Sequence, residues 1–310
     1  MTPVSIVLSD KVSSAFSHNT PIVALESTVI THGLPYPLNF DTLSRLEETI
    51  YDNGCVPATI AVIDGKAHIG LSEQDKDTLK ERMTDTATKL MKVSMRDLAL
   101  ALAQGKTGGT TVSATMLLAH LADIKVFATG GIGGVHRDWQ SIPDISMDIK
   151  ALSEIPVVVV SAGCKAILDI PATLEMLETN AVPVLGWMTD KFPCFYSSTS
   201  TYFIDSISTE LEFTAFYYNH LEYRDRPSGI LIANPIPAAA QIPAETIEPQ
   251  ILNAIDTAKS KNITGKALTP FLLDCLSRLT EGESVRANLA LLENNAILAA
   301  RLAKSIQGDL

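Results

Sequence analysis

Two side chains in this chain have the chemistry of covalent catalysis and a setting that could use it. Lys165 follows the apolar run 156–160 through Ser161-Ala162-Gly163-Cys164. A β-branched run of that kind reads as a strand buried on both faces. Desolvation at its end lowers a lysine's pKa from about 10.4, giving the free amine that carbonyl chemistry requires. The competing reading is a lysine that reaches out to water. Glu26 likewise ends a compact strand, 21–25, and is followed by Ser27-Thr28. A carboxylate there points into the crevice at the carboxyl end of a sheet, or caps the next turn.

Between them, at 126–148, runs V-F-A-T-G-G-I-G-G-V-H-R-D-W-Q-S-I-P-D-I-S-M-D. Gly130, Gly131, Gly133 and Gly134 allow backbone angles and close approaches that other residues resist, and N–H groups in such a turn can converge on an anion. His136, Arg137, Asp144, Ser146 and Asp148 follow, making a floor for a small-molecule site. It is not a dinucleotide fingerprint, because His136 stands where the third glycine belongs. Nor is it a Walker A loop, because no Gly-Lys-Ser/Thr closes it. Thr110 to Thr115, T-T-V-S-A-T, opens an Ala/Leu-rich helix. Its hydroxyls either cap that helix or hold a phosphate on its exposed N–H groups, and both readings stand. Lys92 sits at a further strand-to-helix junction. Asn288 and Asn295, seven positions apart, share one side of the last helix, facing either the core or a ligand.

The elements that must position these residues alternate. Asn39 opens a helix to Asp52 with Leu43, Leu46 and Ile50 inward, and Asn53-Gly54 closes it. Asp64-Gly65 joins strands 59–63 and 66–69 in a hairpin, and Ser72 with Asp75 forms a capping box. A helix follows Lys165 over 166–180, strands are expected at 182–186 and 229–233, and a helix at 209–218. The pattern predicts an α/β fold in three α-β-α layers with a mostly parallel central sheet. Residues 1–20 read as an N-terminal extension with at most a short helix, and 21–310 as a single domain.

The 310 residues, 46% hydrophobic and 19% charged, suffice for a large core. A net charge of −11 argues against nucleic acid or an anionic membrane as a partner. The four cysteines are far apart and suggest neither zinc nor disulfides. No signal peptide or spanning segment is evident, so the expected location is cytoplasmic.

The collected motifs resemble those of the pseudouridine-5′-phosphate glycosidases, the indigoidine synthase A-like proteins. They are V-A-L-E-S-T (23–28), H-G-L-P-Y-P (32–37), V-P-A-T-I-A (56–61), K-V-S-x-R-D (92–97), T-T-V-S-A-T, A-T-G-G-I-G-G-V-H-R, D-I-S-x-D, A-G-x-K-x-I-L-D (162–169), A-N-P-I-P and T-P-F-L-L. The resemblance covers the chain from about Pro21 onward. It implies a metal-dependent lyase of the carbon–oxygen hydro-lyase class that reversibly converts pseudouridine 5′-phosphate and water into uracil and ribose 5-phosphate through a lysine imine. It also implies manganese and a homotrimer. By motif, Lys165 would be the nucleophile, Glu26 the proton donor and Asp144 the metal ligand. Lys92, Val112, Ser146, Met147 and Asp148 would contact substrate, and Asn288 the base. The chain departs from the usual pattern at Cys164, Ala166, Pro143 and Asp138, and in the drifting segment 186–202. A sugar-phosphate aldolase would also explain Lys165, and a non-catalytic sugar-phosphate-binding protein would explain the pocket without it.

Overall fold

The computed structural model describes residues 6–85, 90–141, 143–223 and 225–308. Its strands are β1 (Ile6–Leu8), β2 (Ile22–Leu25), β3 (Val56–Ile63), β4 (Lys66–Ile69), β5 (Met91–Val93), β6 (Gly108–Thr110), β7 (Val126–Ala128), β8 (Val158–Ser161), β9 (Val184–Trp187), β10 (Asp205–Ile207) and β11 (Ile230–Ala233). Its α-helices are α1 (Asp10–Ser17), α2 (Leu38–Asp52), α3 (Glu73–Thr84), α4 (Leu98–Ala103), α5 (Val112–Leu121), α6 (Met147–Glu154), α7 (Ile170–Thr179), α8 (Glu210–Glu222), α9 (Ala244–Ser260), α10 (Leu268–Leu279) and α11 (Glu283–Gln307).

The sheet runs β1-β4-β3-β2-β7-β8-β11-β9-β10, with β6 pairing to β3 and β5 beside it. Among the described residues only β4 and β6 run antiparallel to β3; the other strand pairings are parallel. The central strands read Ile-Val-Ala-Leu (β2), Val-Val-Val-Ser (β8) and Ile-Leu-Ile-Ala (β11), buried at every position. Such runs need cover on both faces. On one face α11 crosses β2, β7 and β8 and packs on α2 and α8; on the other α5 meets β2, β3 and α6. The expected three-layer arrangement with a mostly parallel sheet is therefore what forms.

Register positions the site. Leu25 pairs with Ala128, Ala128 with Val160, and Ser161 with Ala233. The carboxyl ends of β2, β7, β8 and β11 are thus level, and their loops open on one side, where open α/β sheets bind ligands.

Local signals performed well. The Asp64-Gly65 hairpin joins β3 to β4, and Ser72 and Asp75 form the capping box of α3. Three expectations change. Ile6–Leu8 adds an edge strand against β4, and Ser9 caps α1. Asn39 lies inside the first turn of α2, where its amide donates to the Ile30 carbonyl at 2.9 Å. The helix after Lys165 begins only at Ile170, because Asp169 is its N-cap and accepts from the Ala172 N–H.

Candidate active site

The loops at the level strand ends enclose a cavity of about 390 Å³. Glu26, Lys92, Val112, Asp144, Ser146, Met147, Asp148, Lys165 and Asn288 all line it, so every residue singled out by motif arrives at one place.

Glu26 leaves β2 and Lys165 leaves the turn after β8 two strands away, with β7 between them. Thr129, directly after β7, donates its hydroxyl to Glu26 Oε1 at 2.5 Å. Burial pushes the Glu26 carboxyl above its usual range, and the nearby Lys165 charge and the Thr129 hydrogen bond only partly offset this. A raised pKa favours the protonated carboxyl, the form that a proton donor needs. Lys165 Nζ donates to the Gly131 carbonyl at 2.6 Å. Its chain neighbours Cys164 and Ala166 are buried, and Lys165 itself is half-buried. Gly163, with φ +80°, makes the turn that brings Lys165 round; a Cβ there would lie 2.4 Å from the Pro193 carbonyl oxygen. The Cys164 thiol, fully buried, is pushed up to about 12 and is no rival nucleophile.

The glycine turn works by close approach. Gly130, Gly131, Gly133 and Gly134 are absent from the positive-φ positions, whereas a Cβ on Gly133 would sit 2.3 Å from Ser146 Oγ and 2.8 Å from Asp148 Oδ2. The anion that its N–H groups hold is the protein's own. Asp148 accepts from the Gly133 N–H at 2.8 Å and from the Ser113 N–H at 3.0 Å. Asp148 therefore occupies part of the N-terminus of α5 that sequence alone offered to a phosphate. Thr110 is excluded as well, since it is fully buried and its hydroxyl donates to the Ile60 carbonyl. Thr111, Ser113 and Ser146 do line the cavity.

Arg137 is not part of the floor. It turns away from the cavity to pair with Glu248 of α9. His136 stays in, with Nε2 4.0 Å from Asp144 Oδ2. Burial holds its pKa below the usual imidazole value despite Asp144, so it is neutral at neutral pH. Of the two asparagines, Asn288 lines the cavity while Asn295 is structural: it donates to the Thr129 carbonyl at 2.8 Å and accepts from Asn234. Sequence reasoning missed Thr129, Phe195, Thr269 and Leu273, which also line the cavity. Thr129 adjoins the glycine run, and Thr269 and Leu273 bound the T-P-F-L-L motif, so all three were within reach; Phe195 comes from the drifting segment 186–202, which carries no such signal.

The family model of the indigoidine synthase A like proteins matches residues 11–305. The chain belongs to that family. Curated relatives include proteins named pseudouridine-5′-phosphate glycosidase from Caldanaerobacter subterraneus subsp. tengcongensis, 48% identical over 96% of this chain and 95% of that protein. Another, from Mesorhizobium japonicum, is 48% identical over 95% of each. Among solved structures, an indigoidine synthase A-like protein from Thermotoga maritima superposes with a TM-score of 0.87 at 34% identity, covering 98% of this chain and 97% of that one. The prealnumycin C-glycosynthase AlnA, solved with ribulose 5-phosphate, does so with a TM-score of 0.88 at 33% identity, covering 98% of both.

Proposed function

We propose that the protein is a pseudouridine-5′-phosphate glycosidase acting in pseudouridine breakdown, with Lys165 as nucleophile and Glu26 as proton donor. The observation that carries this is the shared cavity of a Glu26 carboxyl whose pKa burial raises and a lysine two strands away, in a chain 48% identical to proteins of that name. The bond to be cut joins two carbons, so protonating an exocyclic oxygen or nitrogen is no help. Instead Glu26 gives its proton to the ribose ring oxygen as the Lys165 amine attacks the anomeric carbon, and the sugar opens. The nitrogen lone pair then forms C=N while the carbon–carbon bond breaks. The uracil ring takes that electron pair, and its carbon gains a proton. Water hydrolyses the remaining imine to ribose 5-phosphate and free Lys165. Covalent catalysis divides one hard step into easier ones.

Lys92, Val112, Ser146, Met147 and Asp148 belong to the substrate-binding wall in this reading, and Asn288 to the base pocket. Manganese belongs to it too. Asp144 and neutral His136 offer two donors, and among the described residues no group of three or more His, Cys, Asp or Glu gathers to hold a metal. That fits an ion completed by water and ligand, not a closed protein cage. Bound there, a divalent cation would offset phosphate charge. A homotrimer and a cytoplasmic setting rest on the resemblance, and among the described residues no helix is long and apolar enough to cross a membrane.

A second reading, formation of a C-glycoside on another aromatic, is favoured by the likeness to the prealnumycin C-glycosynthase. One incubation decides between them: pseudouridine 5′-phosphate with manganese should release free uracil. No uracil, with no reverse synthesis from uracil and ribose 5-phosphate, overturns the glycosidase reading.

A further inference from the structure

Residues 165–169 form the stretch on which Lys165 hangs, and no helix or strand supports them. They lie against the end of the glycine turn: Lys165 N–H donates to the Ile132 carbonyl at 3.1 Å and Asp169 N–H to the Val135 carbonyl at 2.8 Å. Arg137 closes this pairing from the far side. Its Nη2 donates to the Ala166 carbonyl at 3.1 Å and its Nε to the Leu168 carbonyl at 3.4 Å. The same guanidinium forks onto Glu248, with Nη1 on Oε1 and Nη2 on Oε2. Asp138, with φ +65°, adds a second link from this turn to α9 through Lys259. Arg137 does not line the cavity, so its side chain is not spent on substrate.

We infer that Arg137 is a positioning residue for Lys165, clamping the carbonyls of Ala166 and Leu168, with Glu248 orienting the clamp. The inference rests on the reading of Lys165 as nucleophile. The guanidinium suits the task because its planar fork supplies several donors in fixed directions, which one ammonium cannot reproduce. Misplacing a reacting atom by about 1 Å can cost on the order of a hundredfold in rate, so a clamp outside the cavity can set the rate inside it.

Imine formation reads the effect directly. The Lys165 amine adds to the aldehyde carbon of ribose 5-phosphate, the aldehyde oxygen leaves as water, and hydride from borohydride reduces C=N to a stable amine. Measured on the full chain at saturating sugar phosphate, Arg137→Ala should slow trapping by about tenfold or more while the KM for pseudouridine 5′-phosphate stays within about threefold. Added guanidinium should restore part of the rate, and Arg137→Lys should fall between. Glu248→Ala should lose less than Arg137→Ala, because the carbonyl clamp survives it.

Equal losses in Arg137→Ala and Glu248→Ala would reduce the pair to a tether for α9 and overturn the inference. So would an Arg137→Ala protein that traps at the wild-type rate below its melting point. Should Arg137→Ala fail to fold, Arg137→Lys carries the test, and a wild-type rate there overturns the inference equally. If the wild type itself gives no adduct at Lys165, the nucleophile reading has failed and the inference falls with it. That result is distinguishable because it appears before any variant is made.

Discussion

Asp148 accepts the Gly133 N–H at 2.8 Å, so the glycine-rich turn ends by gripping a carboxylate of its own chain. The other oxygen of that carboxylate takes the Ser113 N–H at the start of α5, joining the two loops that form the cavity floor. Asp148→Asn keeps one acceptor but turns an amide N–H₂ toward a backbone N–H. Leaving that buried donor unpaired should cost about 1–3 kcal/mol. Calorimetry should show a lowered Tm together with a loss in kcat/KM. A variant as stable as the wild type would mean that the carboxylate serves substrate alone.

Glu26 should trade stability for chemistry. Its carboxyl is raised above 4.5 by burial, with Lys165 pulling the other way. The folded state therefore binds a proton that the unfolded chain has already lost, a stability gain complete below about 4.5 and lost as pH rises through the raised pKa. Glu26→Gln is neutral at every pH and escapes that loss. Its Tm should match the wild type near pH 4 and exceed it near pH 8, while turnover nearly vanishes. The wild-type kcat/KM should also fall on the alkaline side as Glu26 gives up its proton. A Tm difference that does not change with pH would contradict this account.

Lys165→Arg keeps the positive charge but not the nucleophile, since guanidinium is not deprotonated in proteins. Binding should survive, kcat should fall by orders of magnitude, and borohydride should add no sugar phosphate to the peptide. Cys164→Ala should leave kcat within about twofold, because the thiol at about 12 is inert at working pH. An adduct at Lys92 instead of Lys165 would move the chemistry elsewhere.

Thr28 lines the cavity, yet its Oγ1 is buried without a hydrogen-bond partner among the described residues. Its φ −65° and ψ −33° are helical, so it cannot act as an N-cap. The strand before it offers no preceding turn whose carbonyl could accept its hydroxyl. Thr28→Val should leave stability unchanged or raise it by up to about 1 kcal/mol, read as an unchanged or higher Tm. A clear drop would show that the hydroxyl has a partner in solution.

The metal is expected to exchange freely, with Asp144 and His136 as its protein donors. Chelation should abolish activity and manganese restore it, whereas a chelated enzyme with full turnover would remove the metal from the reaction. The phosphate should matter as much: unphosphorylated pseudouridine should be a poor substrate, and an equal kcat/KM for the two would show that the phosphate is not read.

Much of this was legible because it is local. Buried strands announce themselves as β-branched runs, Asp64-Gly65 as a turn, and Ser72 with Asp75 as a cap. Glu26 and Lys165 stand out because a charged residue ending an apolar strand demands a reason. What stayed hidden is set by contacts distant in sequence. Stretch 166–169 has helical composition, yet Asp169 caps α7 and Arg137 takes the carbonyls before it. Thr110 looked like a phosphate ligand until the packing of β3 gave its hydroxyl the Ile60 carbonyl. Arg137 and His136 are adjacent, and only the fold shows that one faces the cavity and the other α9.

The place of α11 bears on how the protein comes into being. The sheet described here is complete at Ala233, and Glu26 and Lys165 are already in their strands' loops by then. Yet Asn288 and Leu292 of α11 close the cavity, and Asn295 holds the Thr129 carbonyl beside Glu26. A nascent chain folding from its beginning would carry every described strand but lack both the cover of β2, β7 and β8 and one wall of the pocket until α11 is in place. The last helix thus joins the integrity of the sheet to the completion of the site in a single folding event.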